Sequence, residues 1–360
     1  MTQNTPLSSR TLRITSDVRQ RVLSTAQLRA HGISAAQAAE QCRAGGPWQQ
    51  PLPGVYVLHP APPSSQERLR AALLYAGRPP ASARRRVTAQ VPGPRSGAVD
   101  TGYGEAMVTG LAALSLHGFA AAPPVVAMDR IDVLVPRIRR LRSVRYVRLV
   151  RTPELPAPVQ LDGLPVAPVA RALADAVAGL GDAFAVRRLL TEAVRGGHCE
   201  PAVVVGELNR AKILGRPQVV NAVDSLLAEG RALAEDRLYD MVRTHGLPQP
   251  LWNVDLRLPG GPHLGGVDAY WPAEAVAVEL DTRAPRHSRL DDDRRQDEHE
   301  AEWSAYAARR EHLERLGVTV VHLSPKKLRV APEQQATVVR TALMAAADRE
   351  PAAYVMILPR

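Results

Sequence analysis

Apolar residues recur at helical spacing near the N-terminus, where two segments also carry helix start signals. The residues Ser24–Gln27 and Ser34–Gln37 both have the S-x-x-Q form of a capping box. A glycine follows each segment, at Gly32 and at Gly45, and glycine commonly ends a helix. The pattern predicts two short helices in a helix-turn-helix arrangement, preceded by a helix over Asp17–Leu28.

The next segment has the composition of a small β-hairpin. Pro51–Gly54 favours a turn, and Val55–Leu58 has the β-branched and aromatic content of a strand. Residues 13–60 are therefore predicted to form a winged helix-turn-helix, with the hairpin as its wing.

Residues 61–229 alternate between Pro- and Gly-rich breaks and segments with helix or strand periodicity. The predicted elements of this middle α/β region are a helix over Glu67–Ala76, strands over Ile131–Pro136 and Val144–Val150, and helices over Val169–Leu180, Ala183–Arg195, Pro201–Arg210 and Pro217–Ala228. Gly230 is predicted to end the last helix, and a third domain, residues 230–346, is predicted to start there.

The third domain has a different order of elements. The predicted elements are a helix over Ala232–Thr244, strands over Trp252–Leu258, His263–Trp271 and Val276–Asp281, a helix over Trp303–Arg315, a strand over Val318–Leu323 and a helix over Gln334–Ala346. The order α-β-β-β-α-β-α predicts a mixed sheet flanked by helices. The chain as a whole is thus predicted to be a multi-domain α/β protein.

Length and composition limit the class of protein. A chain of 360 residues exceeds one ordinary core, so two or three domains are expected. The two cysteines, Cys42 and Cys199, exclude a disulfide scaffold and a four-Cys zinc site. The N-terminus has no apolar signal segment, and no run of about 18 apolar residues occurs. We therefore expect a cytoplasmic protein without membrane partners.

The net charge of +10 is unevenly distributed. Residues 1–229 contain 28 Lys and Arg against 16 Asp and Glu, whereas residues 230–360 contain 18 against 20. A basic N-terminal part favours contact with a polyanion, because each neutralised phosphate releases counterions. Duplex DNA is therefore the expected partner.

The candidate DNA contacts come from two places. Seven arginines lie between Arg137 and Arg151, a density that favours a hairpin following a phosphate backbone. Strand edges also carry charge to prevent aggregation, so that alternative stays open. The second helix of the helix-turn-helix offers few groups that donate to base edges. The predicted DNA-binding residues are Gln37, Gln41, Arg43, Arg137, Arg139, Arg140, Arg142 and Arg145.

Four carboxylates in the third domain are the sharpest candidates for catalysis. Glu279 and Asp281 lie two apart in a predicted strand, so both side chains project from one face. Asp268 lies opposite them on the preceding strand, and Glu235 on the helix can complete the cluster. Such oxygen ligands suit Mg²⁺ or Mn²⁺, which can activate water and stabilise charge on a scissile phosphate. The alternative is a sheet edge with solvated carboxylates.

Residues 266–271 and 277–283 resemble a Vsr-like domain of unknown function in the PD-(D/E)XK nuclease superfamily. The resemblance covers about residues 230–346 and implies a restriction-endonuclease-like fold. The residues that match its pattern are Glu235, Asp268, Trp271, Glu279, Asp281, His287 and residues 316–323. By this resemblance Asp268 and Glu279 are metal ligands, Asp281 is a third ligand or a water-orienting group, and Glu235 is an outer catalytic carboxylate.

The chain departs from that superfamily at two positions. Asp281 occupies the place of the superfamily lysine, which positions the attacking water and offsets charge, and Thr282 replaces a glycine. The resemblance therefore implies the fold more strongly than it implies catalysis.

The N-terminal part is similar to a second family, the AbiEi antitoxins of the AbiE type IV toxin–antitoxin systems. The similarity lies in residues 51–57, 109–118 and 170–175 and covers about residues 15–225. It implies a winged-helix repressor that acts on its own promoter and has a cognate toxin as partner.

Three functions remain open from the sequence. The first is a transcriptional regulator whose nuclease-like domain is structural or holds DNA. The second is a metal-dependent endonuclease targeted by the basic N-terminal part. The third is a protein–protein interaction module that does not contact DNA.

Overall fold

The computed structural model describes residues 18–78, 102–261, 263–281, 307–346 and 355–359. The chain divides into two compact units, Met1–Glu192 and Ala193–Arg360. Both units combine helices with β-sheet, so the predicted multi-domain α/β class is confirmed at that level. Among the described residues, no helix combines the length and apolar character that crossing a membrane requires.

The N-terminal unit starts with a small three-stranded sheet and short helices. Its elements are α1 (Val18–Arg21), β1 (Val22–Ser24), α2 (Thr25–Ala30), α3 (Ala35–Gln41), β2 (Gln49–Leu52) and β3 (Val55–Val57). The strand order is β1-β3-β2, and β3 is antiparallel to both neighbours. Both predicted capping boxes are present, at the N-terminal ends of α2 and α3.

The predicted helix Asp17–Leu28 is wrong in part, because its middle forms the strand β1. Val22 pairs with Val57, and Leu23 pairs with Tyr56. Both apolar side chains of β1 are buried, so pairing with a distant strand outweighs the local helical pattern.

A second sheet completes the N-terminal unit. The elements are α4 (Ser65–Ala76), β4 (Met107–Thr109), α5 (Gly110–Leu116), a 3-10 turn (Val125–Ala127), β5 (Ile131–Pro136), β6 (Val147–Thr152), β7 (Val159–Leu161), β8 (Leu164–Val166), α6 (Val169–Gly179) and α7 (Ala183–Arg195), which reaches the start of the second unit. The order is β6-β5-β4-β8-β7. Helix α4 contacts strands of both sheets and is buried over nearly its whole length, so it links the two layers.

The predicted hairpin through the arginine-rich segment is wrong. Strands β5 and β6 are parallel neighbours, with Ile131 opposite Val147 and Pro136 opposite Thr152. The segment 137–146 must therefore return along the sheet to start β6 in the same direction as β5. Five of the seven arginines lie in this return segment, while Arg148 and Arg151 lie in β6, so they do not follow a two-stranded ribbon.

The C-terminal unit has one mixed sheet covered by a core cluster on each face. Its elements are α8 (Pro201–Arg210), α9 (Pro217–Thr244), β9 (Leu251–Arg257), β10 (His263–Trp271), β11 (Val276–Leu280), a helix α10 described over residues 307–315, β12 (Thr319–Leu323), α11 (Pro325–Val330), α12 (Pro332–Ala346) and β13 (Met356–Pro359). The order is β12-β11-β10-β9-β13, with β12 parallel to β11 and the other pairs antiparallel. The predicted succession of elements from α9 to β12 is confirmed, while α11 and β13 are additional.

The predicted helix end at Gly230 is wrong, because α9 continues through this residue to Thr244. A Cβ atom on Gly230 would lie 2.3 Å from Pro201 Cγ. Glycine is thus required for close packing of α8 on α9, and it does not break the helix. The predicted domain boundary between residues 229 and 230 falls inside this helix.

Candidate functional site

A turn after β5 presents two side chains to solvent. Arg139 N donates to Pro136 O at 3.0 Å, which closes a β-turn with Arg137 and Ile138 at its central positions. Arg137 is exposed, and Ile138 is 85% exposed. Arg137 N donates to Thr152 O at 2.8 Å, so the turn is anchored to the end of β6. We call residues 137–142 the arginine loop.

Side-chain contacts hold the arginine loop against the end of α4. Arg139 Nη2 donates to Ala76 O at 2.7 Å and to Arg78 O at 2.5 Å. Tyr75 Oη donates to Arg142 O at 2.7 Å. Burial lowers the pKa of the Arg139 guanidinium. The Arg139 side chain, which was predicted to contact DNA, therefore donates its hydrogen bonds to main-chain carbonyls within the fold.

The chain after the arginine loop contacts the β2–β3 hairpin. Arg145 Nη1 donates to Gln50 O at 2.8 Å and to Pro51 O at 2.6 Å. Arg145 has a φ of +52°, a left-handed conformation that is uncommon for residues other than glycine. The contact fixes the return segment beside β2.

The turn of the β2–β3 hairpin is itself tied to neighbouring elements. Thr25 N and Thr25 Oγ1 both donate to Gly54 O, at 2.9 and 3.1 Å. Arg78 Nη1 donates to Pro53 O at 3.1 Å. This turn is therefore held against the start of α2.

The seven arginines between Arg137 and Arg151 fall into two groups. Those engaged within the fold are Arg139, Arg145, Arg148, which forms an ion pair with Asp132, and Arg151, which donates to Arg139 O and Leu141 O. The other three, Arg137, Arg140 and Arg142, are exposed, and their side chains have no partner in the part of the chain that the structure describes. Of the seven, these three are therefore the ones whose guanidinium groups no described residue engages.

Helix α3 offers little hydrogen-bonding chemistry. Gln37 Oε1 accepts from Ser34 N at 2.8 Å in the capping box, which leaves the Gln37 amide nitrogen as a donor. Arg43, just beyond the helix, pairs with Glu40 at 2.7 Å, and both side chains are exposed. Gln41 is half-buried. Of the predicted DNA contacts in this region, Arg43 is therefore already paired and Gln41 is partly covered.

In the C-terminal unit, two of the predicted carboxylates lie opposite each other on neighbouring strands. The β10–β11 register pairs Ala269 with Val278, and the next position sets Asp268 opposite Glu279. Regular pairing stops at this point, and Asp268 Oδ2 accepts from Leu280 N at 2.7 Å. Both carboxylates are buried, since their side chains are 8% and 11% exposed. The opposite positions of the two residues follow from the strand register, while a joint site formed by both carboxylates stays a prediction.

An arginine joins two of the carboxylates. Arg231 on α9 donates through Nε to Glu235 Oε1 at 2.8 Å and through Nη2 to Asp268 Oδ1 at 2.6 Å. Both oxygens of Asp268 are therefore occupied, one by Arg231 and one by the main chain of Leu280. Glu235 and Asp268 share the Arg231 guanidinium as a hydrogen-bond donor, and the predicted carboxylate cluster stays a prediction.

A second arginine holds Glu279. Arg309 on α10 donates to Glu279 Oε1 at 2.6 Å and to the carbonyls of Leu264 and Gly266 at 2.9 and 2.8 Å. Its guanidinium lies against Gly265, where a Cβ atom would be 2.4 Å from Arg309 Cζ. Gly265 has a φ of +110°, so this close approach requires glycine.

Asp281 and His322 complete the surroundings of Glu279. The parallel register of β11 and β12 pairs Glu279 with His322, and His322 Nδ1 lies 3.7 Å from Glu279 Oε2. Asp281 lies just past β11, where its N–H donates to Leu323 O at 2.9 Å. Thr282 and His287, which were compared above with positions of the nuclease pattern, lie outside the described residues.

The carboxylates in this arrangement do not fit a Mg²⁺ or Mn²⁺ site. No group of three or more His, Cys, Asp or Glu among the described residues is placed to hold a metal. The donor chemistry explains why, since guanidinium and main-chain N–H groups already engage the oxygens that a cation would need.

Three residues of interest, Arg231, Arg309 and Ile138, were not among the predicted site residues. The Arg231–Glu235 pair has the i,i+4 spacing of a helical ion pair and was available as a signal. Arg309 reaches Glu279 from 30 residues away, and no local pattern indicates it. The exposure of Ile138 could not be predicted, because the sequence around an apolar residue among arginines does not indicate whether it is buried.

No protein-family model matches the sequence, and no match was found among curated proteins.

Proposed function

We propose that this protein is a DNA-binding transcriptional regulator of the AbiEi antitoxin type. The observation that carries the proposal is the arginine loop, in which Arg137, Arg140 and Arg142 are exposed and have no side-chain partner among the described residues, while their neighbours hold the loop in place. Exposed guanidinium groups on a loop that is held in place suit contact with a phosphate backbone.

The small N-terminal sheet supports a winged-helix assignment. The succession α1-β1-α2-α3-β2-β3 with strand order β1-β3-β2 is the arrangement expected of a winged helix. In this assignment α3 is the recognition helix. Its exposed face is rich in alanine and offers Gln37 as a hydrogen-bond donor, so base readout is weak and phosphate contact dominates affinity.

The C-terminal unit is proposed to be a nuclease-like fold in a structural or DNA-holding role. The succession from α9 to β12, with β12 parallel to β11, supports the PD-(D/E)XK-like assignment. Arg231 and Arg309 neutralise the carboxylates that a nuclease would use for metal. The antitoxin assignment adds a cognate toxin as a protein partner.

The test is a titration of the full-length protein into a fluorescein-labelled duplex of about 30 base pairs. Fluorescence anisotropy is followed between about 50 and 200 mM salt. The proposal predicts binding whose log affinity falls linearly with log salt concentration. Absence of binding at the lowest salt contradicts it and favours the protein–protein interaction module.

A metal-dependent endonuclease is the second candidate function. The observation that favours it is the placement of Asp268 opposite Glu279 where regular pairing of β10 and β11 ends. Under this alternative the arginines must leave the carboxylates before a metal can enter.

Plasmid nicking separates the two candidates. The full-length protein is incubated with supercoiled plasmid and Mg²⁺, Mn²⁺ or chelator, and Glu279→Ala is compared with Asp240→Ala. Asp240 is an exposed carboxylate on α9 paired with Arg243, so it is the matched control. The regulator proposal predicts no metal-dependent nicking. Nicking that requires metal and is lost only in Glu279→Ala establishes the endonuclease instead.

A further inference from the structure

We propose that the arginine loop inserts Ile138 into the minor groove of duplex DNA and partly unstacks one base step. The inference rests on the proposed DNA-binding function and specifies its geometry: a wedge that bends the duplex, flanked by arginines that contact phosphates.

The exposure of Ile138 is the first observation. At 85% it is the most exposed of the large apolar side chains in the described parts of the chain. It sits at a central position of the Pro136–Arg139 turn, and Arg137 precedes it in the other central position. A β-turn tip is narrow enough for a groove about 6 Å wide. Apolar side chains such as Ile act as wedges between base steps in proteins that bind this groove.

The rigidity of the loop is the second observation. A wedge must keep its position while it separates stacked bases, which costs a few kcal/mol per step. Hydrogen bonds hold the chain on either side of Ile138. Arg137 N donates to Thr152 O at 2.8 Å, and the Arg139 side chain donates through Nη2 to Ala76 O at 2.7 Å. The exposed side chain thus belongs to a firmly held turn.

The distribution of charge selects the partner. Arg137 adjoins Ile138 on one side, and Arg140 and Arg142 follow on the other, all exposed and without a side-chain partner among the described residues. An apolar tip between guanidinium groups matches a groove whose floor is base edges and whose walls are phosphates.

The experiment measures unstacking and bending directly with full-length protein. The probes are duplexes of about 30 base pairs with a central TA step, which kinks easily. One carries 2-aminopurine at that step, and the other carries a fluorescence-transfer pair at its ends. Ile138→Ala is compared with Val126→Ala, which shortens another apolar side chain, 73% exposed, outside the loop.

The proposal predicts that wild type and Val126→Ala increase 2-aminopurine fluorescence and bend the duplex by about 20–90°. Ile138→Ala is predicted to abolish the fluorescence increase and to lose more than half of the bend. The salt dependence of DNA binding by Ile138→Ala is predicted to equal that of wild type, because the substitution removes no charge.

Two results overturn the inference, and they are distinguishable. If DNA binds with the expected salt dependence but stays straight, or if unstacking survives Ile138→Ala, the wedge is wrong and the proposed DNA-binding function stands. If the duplex does not bind even at low salt, the proposed function itself fails, and the loop is then assigned to an acidic protein partner.

Discussion

Arg231 on α9 donates a hydrogen bond of 2.6 Å to Asp268 on β10. The carboxylate of Asp268 is 8% exposed, while Arg231 is 41% exposed, so the buried anion depends on a partner that solvent can reach. The same guanidinium holds Glu235. This relationship makes the carboxylates of the C-terminal unit part of a salt-bridged structure, and it leads to the first two predictions.

Replacing Arg231 with Ala is predicted to destabilise the C-terminal unit by about 2 kcal/mol, because buried Asp268 loses a charged hydrogen bond. The matched control is Arg243→Ala on the same helix, whose pair with Asp240 is exposed on both sides and is worth less than about 1 kcal/mol. Amide hydrogen exchange of β11 in the full-length protein measures both effects. Equal losses in the two variants would refute a special role for Arg231.

Removing both arginines is predicted to release the carboxylates for metal. In Arg231→Gln with Arg309→Gln, the oxygens of Glu235, Asp268 and Glu279 lose their charged donors. Calorimetric titration with Mn²⁺ should then show binding that wild type lacks, because hard oxygen ligands attract divalent cations once they are not neutralised. Binding of equal strength in wild type would mean that the arginines do not block the site.

A substitution at Gly230 distinguishes close packing from helix propensity as the factor that determines stability at this position. Gly230→Ala is predicted to destabilise the C-terminal unit by about 1–3 kcal/mol, because the new Cβ would lie 2.3 Å from Pro201 Cγ. Gly206→Ala on α8 is the control, since no atom lies within 4 Å of its Cβ position, and it should stabilise by up to about 1 kcal/mol. Urea unfolding measures both. A gain in stability from Gly230→Ala would contradict the packing explanation.

The elements that could be predicted are those specified by neighbouring residues. The capping boxes of Ser24 and Ser34 involve side chains three residues away, and both formed as predicted. The opposition of Asp268 and Glu279 followed from strand alternation and a short hairpin. The winged-helix and nuclease-like assignments, the domain limits and the DNA contacts stay predictions.

What could not be predicted depends on contacts between distant residues. Val22 becomes a strand residue because Val57 pairs with it, and Gly230 stays inside a helix because Pro201 packs on it. The parallel pairing of β5 and β6 is likewise a property of the whole sheet. In the site, Arg309 is brought to Glu279 by the packing of α10 on the sheet, which the sequence near either residue does not encode.

Buried Glu67 predicts an acid sensitivity of the N-terminal unit. Burial alone would raise the pKa of this carboxyl, but hydrogen bonds from Ser64 N and His59 Nε2, at 2.8 and 2.9 Å, lower it below its ordinary value of 4.5. Because the pKa is lowered in the folded state, the ionised carboxylate stabilises the fold, and this contribution is complete above the ordinary value of 4.5. The contribution is lost as the pH falls through the lowered pKa.

The check is urea unfolding of wild type and Glu67→Gln at about pH 7 and about pH 4. Glu67→Gln should be less stable at neutral pH by about 3 kcal/mol and less dependent on pH, because it removes the anion of a buried pair. Glu40→Gln, at an exposed pair with Arg43, should match wild type at both pH values. A pH dependence that is unchanged in Glu67→Gln would assign the acid sensitivity to other groups.

The most direct test of the central claim is the salt dependence of duplex binding after the free guanidinium groups are removed. Arg137, Arg140 and Arg142 are replaced together with Ala. The charge-matched control replaces three other exposed arginines of the same unit, Arg130, Arg187 and Arg188. We predict that the slope of log affinity against log salt falls in magnitude by about 3 in the first variant and stays near the wild-type value in the control. Equal slopes in the two variants would show that the arginine loop does not contact the DNA backbone.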